Sequence, residues 1–209
     1  MICISVGQIS KFREISDLQP SLVEVRYDLV RKDPAEVAGL LSDTILQVAT
    51  CRPGAIPDRE RADLLMKAIT LGAVYVDIEM ESPPWMIREI ASHAQKHSCH
   101  LILSYHNFSE TPSADQLLQV LADCYSAGAD VAKIACQVNG PADAARLLSL
   151  YAEGGRKIVV GMGEGGRITR LAALELGAEF TFAAVNENDV TAPGQIAYHD
   201  LLALKNKLH

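Results

Sequence analysis

The sequence predicts an α/β fold, a compact (β/α)8 TIM barrel spanning residues 1–209 as one domain. Three observations carry that expectation. Eight short runs rich in β-branched residues alternate with helix-patterned segments, which implies parallel pairing through right-handed crossovers. A chain of 209 residues, 49% hydrophobic and 22% charged, has the composition of one sizeable core, and no linker, internal repeat or low-complexity stretch divides it. The first run is followed by "VGQISKF" and not by G-x-G-x-x-G, which argues against an open dinucleotide-binding sheet.

In chain order the expected strands are "ICISV" at 2–6, "LVEVRYDLV" at 22–30, "TILQVATCR" at 44–52 and "AVYVDIE" at 73–79. "HLILSYH" at 100–106, "DVAKIA" at 130–135, "KIVVGMG" at 157–163 and "EFTFAAV" at 179–185 complete the set. Expected helices cover 34–42, 58–71, 83–98, 113–127, 141–153, 167–176 and 194–208. Pro34 and Pro141 fit a first helical turn, where the missing N–H is not needed, and Gly72, Gly128 and Gly177 stand just past a last turn.

The formal net charge of −7 and the absence of a basic stripe argue against a nucleic-acid surface. No apolar stretch reaches the roughly 18 residues of a membrane helix, and "MICISVGQ" lacks the basic start of a signal peptide, so a cytoplasmic protein is expected. Cys3, Cys51, Cys99, Cys124 and Cys136 are odd in number and widely spaced, which reads as reduced structural thiols rather than a disulfide framework or zinc site. His93 and His97 stand four apart on an expected helix, but with Lys96 beside them and no H-E-x-x-H they read as a solvated face, and no metal site is expected.

A parallel strand covered on both faces should be almost wholly apolar, so charges inside one are informative. Glu24, Arg26 and Asp28 fall in the second half of the second run, Arg52 ends the third, and Asp77 and Glu79 end the fourth. His106 ends the fifth, Lys133 lies late in the sixth, and Arg170 follows the seventh. In a barrel these C-terminal strand ends gather at one mouth, where barrel enzymes build their active sites. The competing reading is a structural ion-pair network beneath the loops.

Lys133 in "DVAKIAC" is flanked by Val131, Ala132, Ile134 and Ala135. Loss of hydration lowers an amine's pKa and frees it to condense with a ketone or aldehyde as a Schiff base. Against this stands a lysine whose stem packs and whose head reaches water or pairs with Asp77 or Glu79. His106 in "SYHNF", one strand away, is suited to carry a proton between an activated carbon and a leaving oxygen.

With "EVRYD", "TCR", "VDIE", "SYHNF", "AKIA", "GMGEGGRITR", "FTFA" and "TAPGQ" in this order and spacing, nearly the whole chain resembles type I 3-dehydroquinate dehydratase of the shikimate pathway. The resemblance implies a barrel that eliminates water from 3-dehydroquinate to give 3-dehydroshikimate with no metal or organic cofactor. It implies that Lys133 forms the Schiff base and His106 is the general acid/base. It further implies that Glu24 and Arg26 contact substrate hydroxyls, Arg52 belongs to the binding shell, and Arg170 grips the substrate carboxylate. Thr191 and Gln195 would sit in a loop that closes over the ligand, with Met162 and Phe182 lining the pocket.

Two stretches depart from the family. "CRPGAIPDRE" puts Ile56 where a glutamate supporting the histidine is expected, so either Asp58, Glu60 or Glu79 takes over, with Glu79 preferred, or His106 is oriented differently. The stretch "AAVNENDV" is longer than the family's loop. "GMGEGG" leaves open a Schiff-base aldolase gripping a sugar phosphate, although Glu187 and Asp189 oppose a dianion, and a barrel that only binds a small anion also stays open. A homodimer and a longer fusion with shikimate dehydrogenase are compatible with the sequence.

Overall fold

The computed structural model describes residues 1–42 and 44–207. Its strands are β1 (Ile2–Val6), β2 (Leu22–Arg26), β3 (Leu46–Thr50), β4 (Tyr75–Glu79), β5 (His100–Asn107), β6 (Val131–Gln137), β7 (Lys157–Met162) and β8 (Thr181–Ala184). Its α-helices are α1 (Phe12–Leu18), α2 (Tyr27–Val30), α3 (Pro34–Ala38), α4 (Asp58–Thr70), α5 (Pro84–Lys96), α6 (Ala114–Ser126), α7 (Pro141–Ser149), α8 (Arg167–Glu175) and α9 (Tyr198–Asn206). All strand pairs are parallel, in the order β7-β6-β5-β4-β3-β2-β1-β8. The seam between β7 and β8 has no strand ladder among the described residues; at its base the Glu179 N–H donates to the Lys157 carbonyl at 3.0 Å. The result is a nearly closed TIM barrel with helices between the strands.

Alternation along each strand divides the apolar residues into two concentric layers. Val23, Val25, Ile78, Leu103 and Ile134 point outward and pack with Leu65, Ile69, Met86, Ile90, Leu117 and Leu147 from the helices. Leu22, Val48, Tyr75, Ile102, Val131, Ile158 and Phe180 point inward and fill the barrel itself. No described helix is long and apolar enough to cross a membrane.

Pro34 and Pro141 occupy first turns as expected; Pro84 does the same in α5, and Ser113 caps α6 in a reciprocal capping box with Gln116, neither of which the sequence reading named. Gly72, Gly128 and Gly177 follow their helices with φ of 101°, 97° and 87°, a region a side chain rarely adopts.

Among the differences from expectation, the first two have local causes. The helix α1 was not anticipated; it carries no capping side chain and is held by burying Phe12 and Ile15. The second strand stops at Arg26, and the chain turns into the short α2, which places Asp28 beyond the strand. Instead of continuing a strand face, Asp28 accepts both ends of the Arg26 guanidinium, at 3.0 and 2.6 Å. The last helix starts at Tyr198 rather than residue 194, and Leu208 lies outside the described residues.

Candidate active site

The strand register stacks the polar residues at the C-terminal mouth. On β2 to β6 the inward positions run Leu22 then Glu24, Val48 then Thr50, Tyr75 then Asp77, Ile102 then Ser104, Val131 then Lys133. Two residues further on come Arg26, Arg52, Glu79 and His106. A cavity of about 510 Å³ opens here, within the usual range for small-ligand sites. Lys133, His106 and Glu79 line it, with Glu24, Arg26, Arg52, Arg170, Thr191, Gln195, Met162 and Phe182, whereas Asp28 and Asp77, also expected at the mouth, are not among its lining residues.

Lys133 is buried inside the barrel, and its Nζ donates to Asp77 Oδ2 at 2.8 Å while sitting 4.5 Å from the centre of the Phe182 ring. Burial, aided by the Arg52 charge, lowers its pKa; Asp77 and Glu24 oppose the shift. Asp77 is held below the usual carboxylate range: burial acts to raise it, but Arg52 and Lys133 together outweigh that.

Arg52 organises the floor of the cavity. Its Nη1 donates to Asp77 Oδ1 at 3.2 Å, to Glu79 Oε1 at 2.6 Å and to Ser104 Oγ at 3.0 Å, and its Nη2 donates to Asp77 Oδ2 at 2.9 Å. The second oxygen of Glu79 accepts from Arg61 Nη2 at 2.8 Å. Arg61, on the inner face of α4, is itself buried and also donates to the Cys51 carbonyl and to Asp58. Glu79 is therefore held between two guanidiniums, and among the described residues no hydrogen bond joins it to His106. Asp58 is engaged by Arg61, Glu60 is exposed, and Ile56 packs against the outer core.

The imidazole of His106 has no hydrogen-bond partner among the described residues. It stacks on Phe108 at 5.9 Å between ring centres and 10° between planes. Burial, followed by the charges of Arg52 and Lys133, pushes its pKa down to about 2, against the pull of Asp77. The ring is neutral in this state, which is the form that accepts a proton.

Arg170 reaches from α8 into the upper seam of the barrel. It is 1% exposed, yet among the described residues no carboxylate pairs with it: Nη1 donates to the Phe182 carbonyl at 3.4 Å, Nη2 to the Pro193 carbonyl at 3.3 Å, and Nε is buried without a partner. Burial alone lowers its pKa to about 10. A buried guanidinium without a counter-charge, lining a cavity, is a ready receptor for an anion.

The loop after β8 is fastened to the mouth. Thr191 Oγ1 donates to Ser5 Oγ at 2.7 Å, Ser5 donates to Glu24, and Glu24 also accepts from Thr50 at 2.9 Å. Gln195 Oε1 accepts from the Thr191 amide at 2.7 Å and the Ala192 amide at 3.3 Å, so this side chain shapes the loop from within. The "NENDV" stretch is tied to α1 and the residue before it: Asp189 pairs with Lys11 at 2.7 Å and Asn186 donates to Glu14 at 2.9 Å.

The glycine run after β7 serves packing. A Cβ on Gly166 would lie 2.3 Å from the Gly161 carbonyl, so only glycine lets α8 approach β7 this closely. The amides of Gly161, Gly163 and Gly166 are spent on Thr169 Oγ1, the Pro193 carbonyl and the Gly163 carbonyl, and offer nothing to a phosphate.

Sequence reasoning placed Asp77 at the mouth without giving it a role in the reaction, and missed Ser5, Thr50, Ser104, Arg61 and Phe108. For Arg61 a signal existed, since it shares the inner stripe of α4 with Leu65, Ala68 and Ile69. The others are short polar side chains or an aromatic whose roles depend on neighbours from other strands.

A parallel barrel whose one mouth cavity is lined by a lysine, a histidine and an arginine without a carboxylate partner among the described residues has the arrangement of an enzyme for a small anion. The comparisons with known proteins narrow this class. The family model for type I 3-dehydroquinase matches residues 3–209. A 3-dehydroquinate dehydratase from Desulfotalea psychrophila is 30% identical, covering 96% of this chain and 94% of that protein. One from Thermococcus gammatolerans is 34% identical, covering 94% and 90%. The crystal structure of the 3-dehydroquinate dehydratase from Geobacillus kaustophilus superimposes with a TM-score of 0.88 at 27% identity, covering 99% of this chain and 90% of that one. The chain belongs to the type I 3-dehydroquinase family, and is an enzyme of the hydro-lyase class.

Proposed function

We propose that this chain eliminates water from 3-dehydroquinate to give 3-dehydroshikimate through a Schiff base on Lys133. The free amine of Lys133 attacks the substrate ketone and, with loss of water, forms an imine whose protonated nitrogen draws electrons from the adjacent carbon. His106 takes a proton from that carbon, and the resulting enamine expels the β-hydroxyl as the ring hands the same proton to the departing oxygen. Hydrolysis of the product imine frees the lysine. The observation that carries this reading is the pairing of a buried Lys133, facing Asp77, with a neutral His106 in one cavity.

The other residues orient the substrate. Arg170 grips the carboxylate in a bidentate contact, which supplies the counter-charge its guanidinium lacks. Glu24, Arg26, Thr191 and Gln195 meet the ring hydroxyls, and Met162 and Phe182 close the apolar side. Glu79 acts indirectly, by holding Arg52 against Asp77. The enzyme works in the cytoplasm. Supplying 3-dehydroquinate and following the ultraviolet absorbance of the product enone tests the activity; no absorbance from folded protein contradicts it.

A further inference from the structure

Phe108 is 73% exposed, joins none of the apolar clusters, and lines the catalytic cavity. Stability gives no reason for a phenyl ring there. The backbone turn beneath the ring is nevertheless fixed. Asn107, the last residue of β5, accepts the amides of Ser109 and Glu110 at 3.1 and 3.0 Å and the Ser109 hydroxyl at 2.9 Å, which fixes the turn that carries Phe108. That turn sets the phenyl nearly parallel to the imidazole of His106, whose ring finds no hydrogen bond among the described residues.

We propose that Phe108 is a positioning residue that fixes the plane of the His106 ring and supports its cationic form during proton transfer. The proposal rests on the reading of His106 as the general acid/base. A stacked pair with centres 5.9 Å apart restrains rotation of the imidazole about its χ angles. The negative face of the phenyl ring also attracts a cation placed over it. This matters because the groups facing His106 largely oppose its protonation: Arg26 from β2, Arg52 following β3 and Lys133 from β6 repel the charge, and only Asp77 from β4 among the strongest neighbours favours it. Glu24, Glu79, Glu81 and Arg170 line the same cavity without bonding to the ring.

Four proteins, F108L, F108Y, H106Q and the double variant F108L/H106Q, test this by steady-state kinetics with 3-dehydroquinate across pH. The exposed position lets F108L fold. F108L is expected to lower kcat about tenfold with KM within about twofold, F108Y to restore kcat, and the effect of F108L to vanish in the H106Q background. An unchanged kcat and pH profile in F108L, a change in KM alone, or an equal loss in both backgrounds overturns the proposal. If H106Q itself keeps the parent kcat, the assignment of His106 fails and takes the proposal with it. If H106Q loses activity and F108L does not, only the proposal for Phe108 fails.

Discussion

The lower and upper halves of the barrel interior are built from the same strands, two residues apart, and they obey opposite rules. Below, Leu22, Val48, Tyr75, Ile102 and Val131 form an apolar core with Ile158 and Phe180. Above, the next inward positions on those strands are Glu24, Thr50, Asp77, Ser104 and Lys133, all buried. On β7 and β8 the pattern does not switch: Val160, Met162 and Phe182 stay apolar. The upper layer is therefore two-sided, with a charged wall facing an apolar one, and Lys133 lies where they meet, bonded to Asp77 and against Phe182. The lower half is apolar throughout; the upper half buries charge beside the cavity.

Substitutions in the two halves should separate those roles. The largest effect is expected for K133M, which removes the amine: turnover should fall by about 10⁴-fold or more, while the unfolding midpoint holds or rises because Asp77 keeps its bonds to Arg52. Kinetics and thermal unfolding on one preparation check both halves of that expectation. In the lower half, L22A should cost about 2–5 kcal/mol of stability through the cavity it leaves, with kcat of the folded protein little changed. Loss of activity without loss of stability would erase the contrast between the halves.

R170M should move the two quantities in opposite directions. Removing a buried cation without a counter-ion should raise the unfolding midpoint of the free enzyme, whereas kcat/KM should drop by about 2–4 kcal/mol, chiefly through KM, as the substrate carboxylate loses its partner. The smallest effect concerns pH. In the unfolded chain His106 takes up a proton as pH falls below 6.5, but in the fold it stays neutral down to about 2, so the folded state loses stability as pH falls through that window. H106Q should make the acid limb of stability shallower by up to about 1.4 kcal/mol per pH unit, as denaturant melts between pH 6 and 4 would reveal.

Much of this was legible in the sequence because parallel strands tolerate charge so poorly. Glu24, Arg52, Asp77, His106 and Lys133 stood out as interruptions of apolar runs, and one topological rule, that strand ends share a mouth, brought them together. What stayed hidden depends on partners far along the chain. Nothing near Glu79 shows that Arg61 and Arg52 will occupy both its oxygens, and so its expected support of His106 gave way to a brace for Arg52. Ser5 reads as an ordinary strand serine until Thr191 and Glu24 close on it. Helix α1 is short and lacks a capping side chain, so only its burial against the barrel, through Phe12 and Ile15, selects it.

The central claim is covalent chemistry at Lys133. Incubation with 3-dehydroquinate and sodium borohydride, followed by mass analysis of proteolytic peptides, measures it directly. The account predicts loss of activity together with a reduced substrate or product adduct on the peptide carrying Lys133, and none in K133M. An unmodified Lys133 in a preparation that turns over substrate, or an adduct on another lysine, would contradict it.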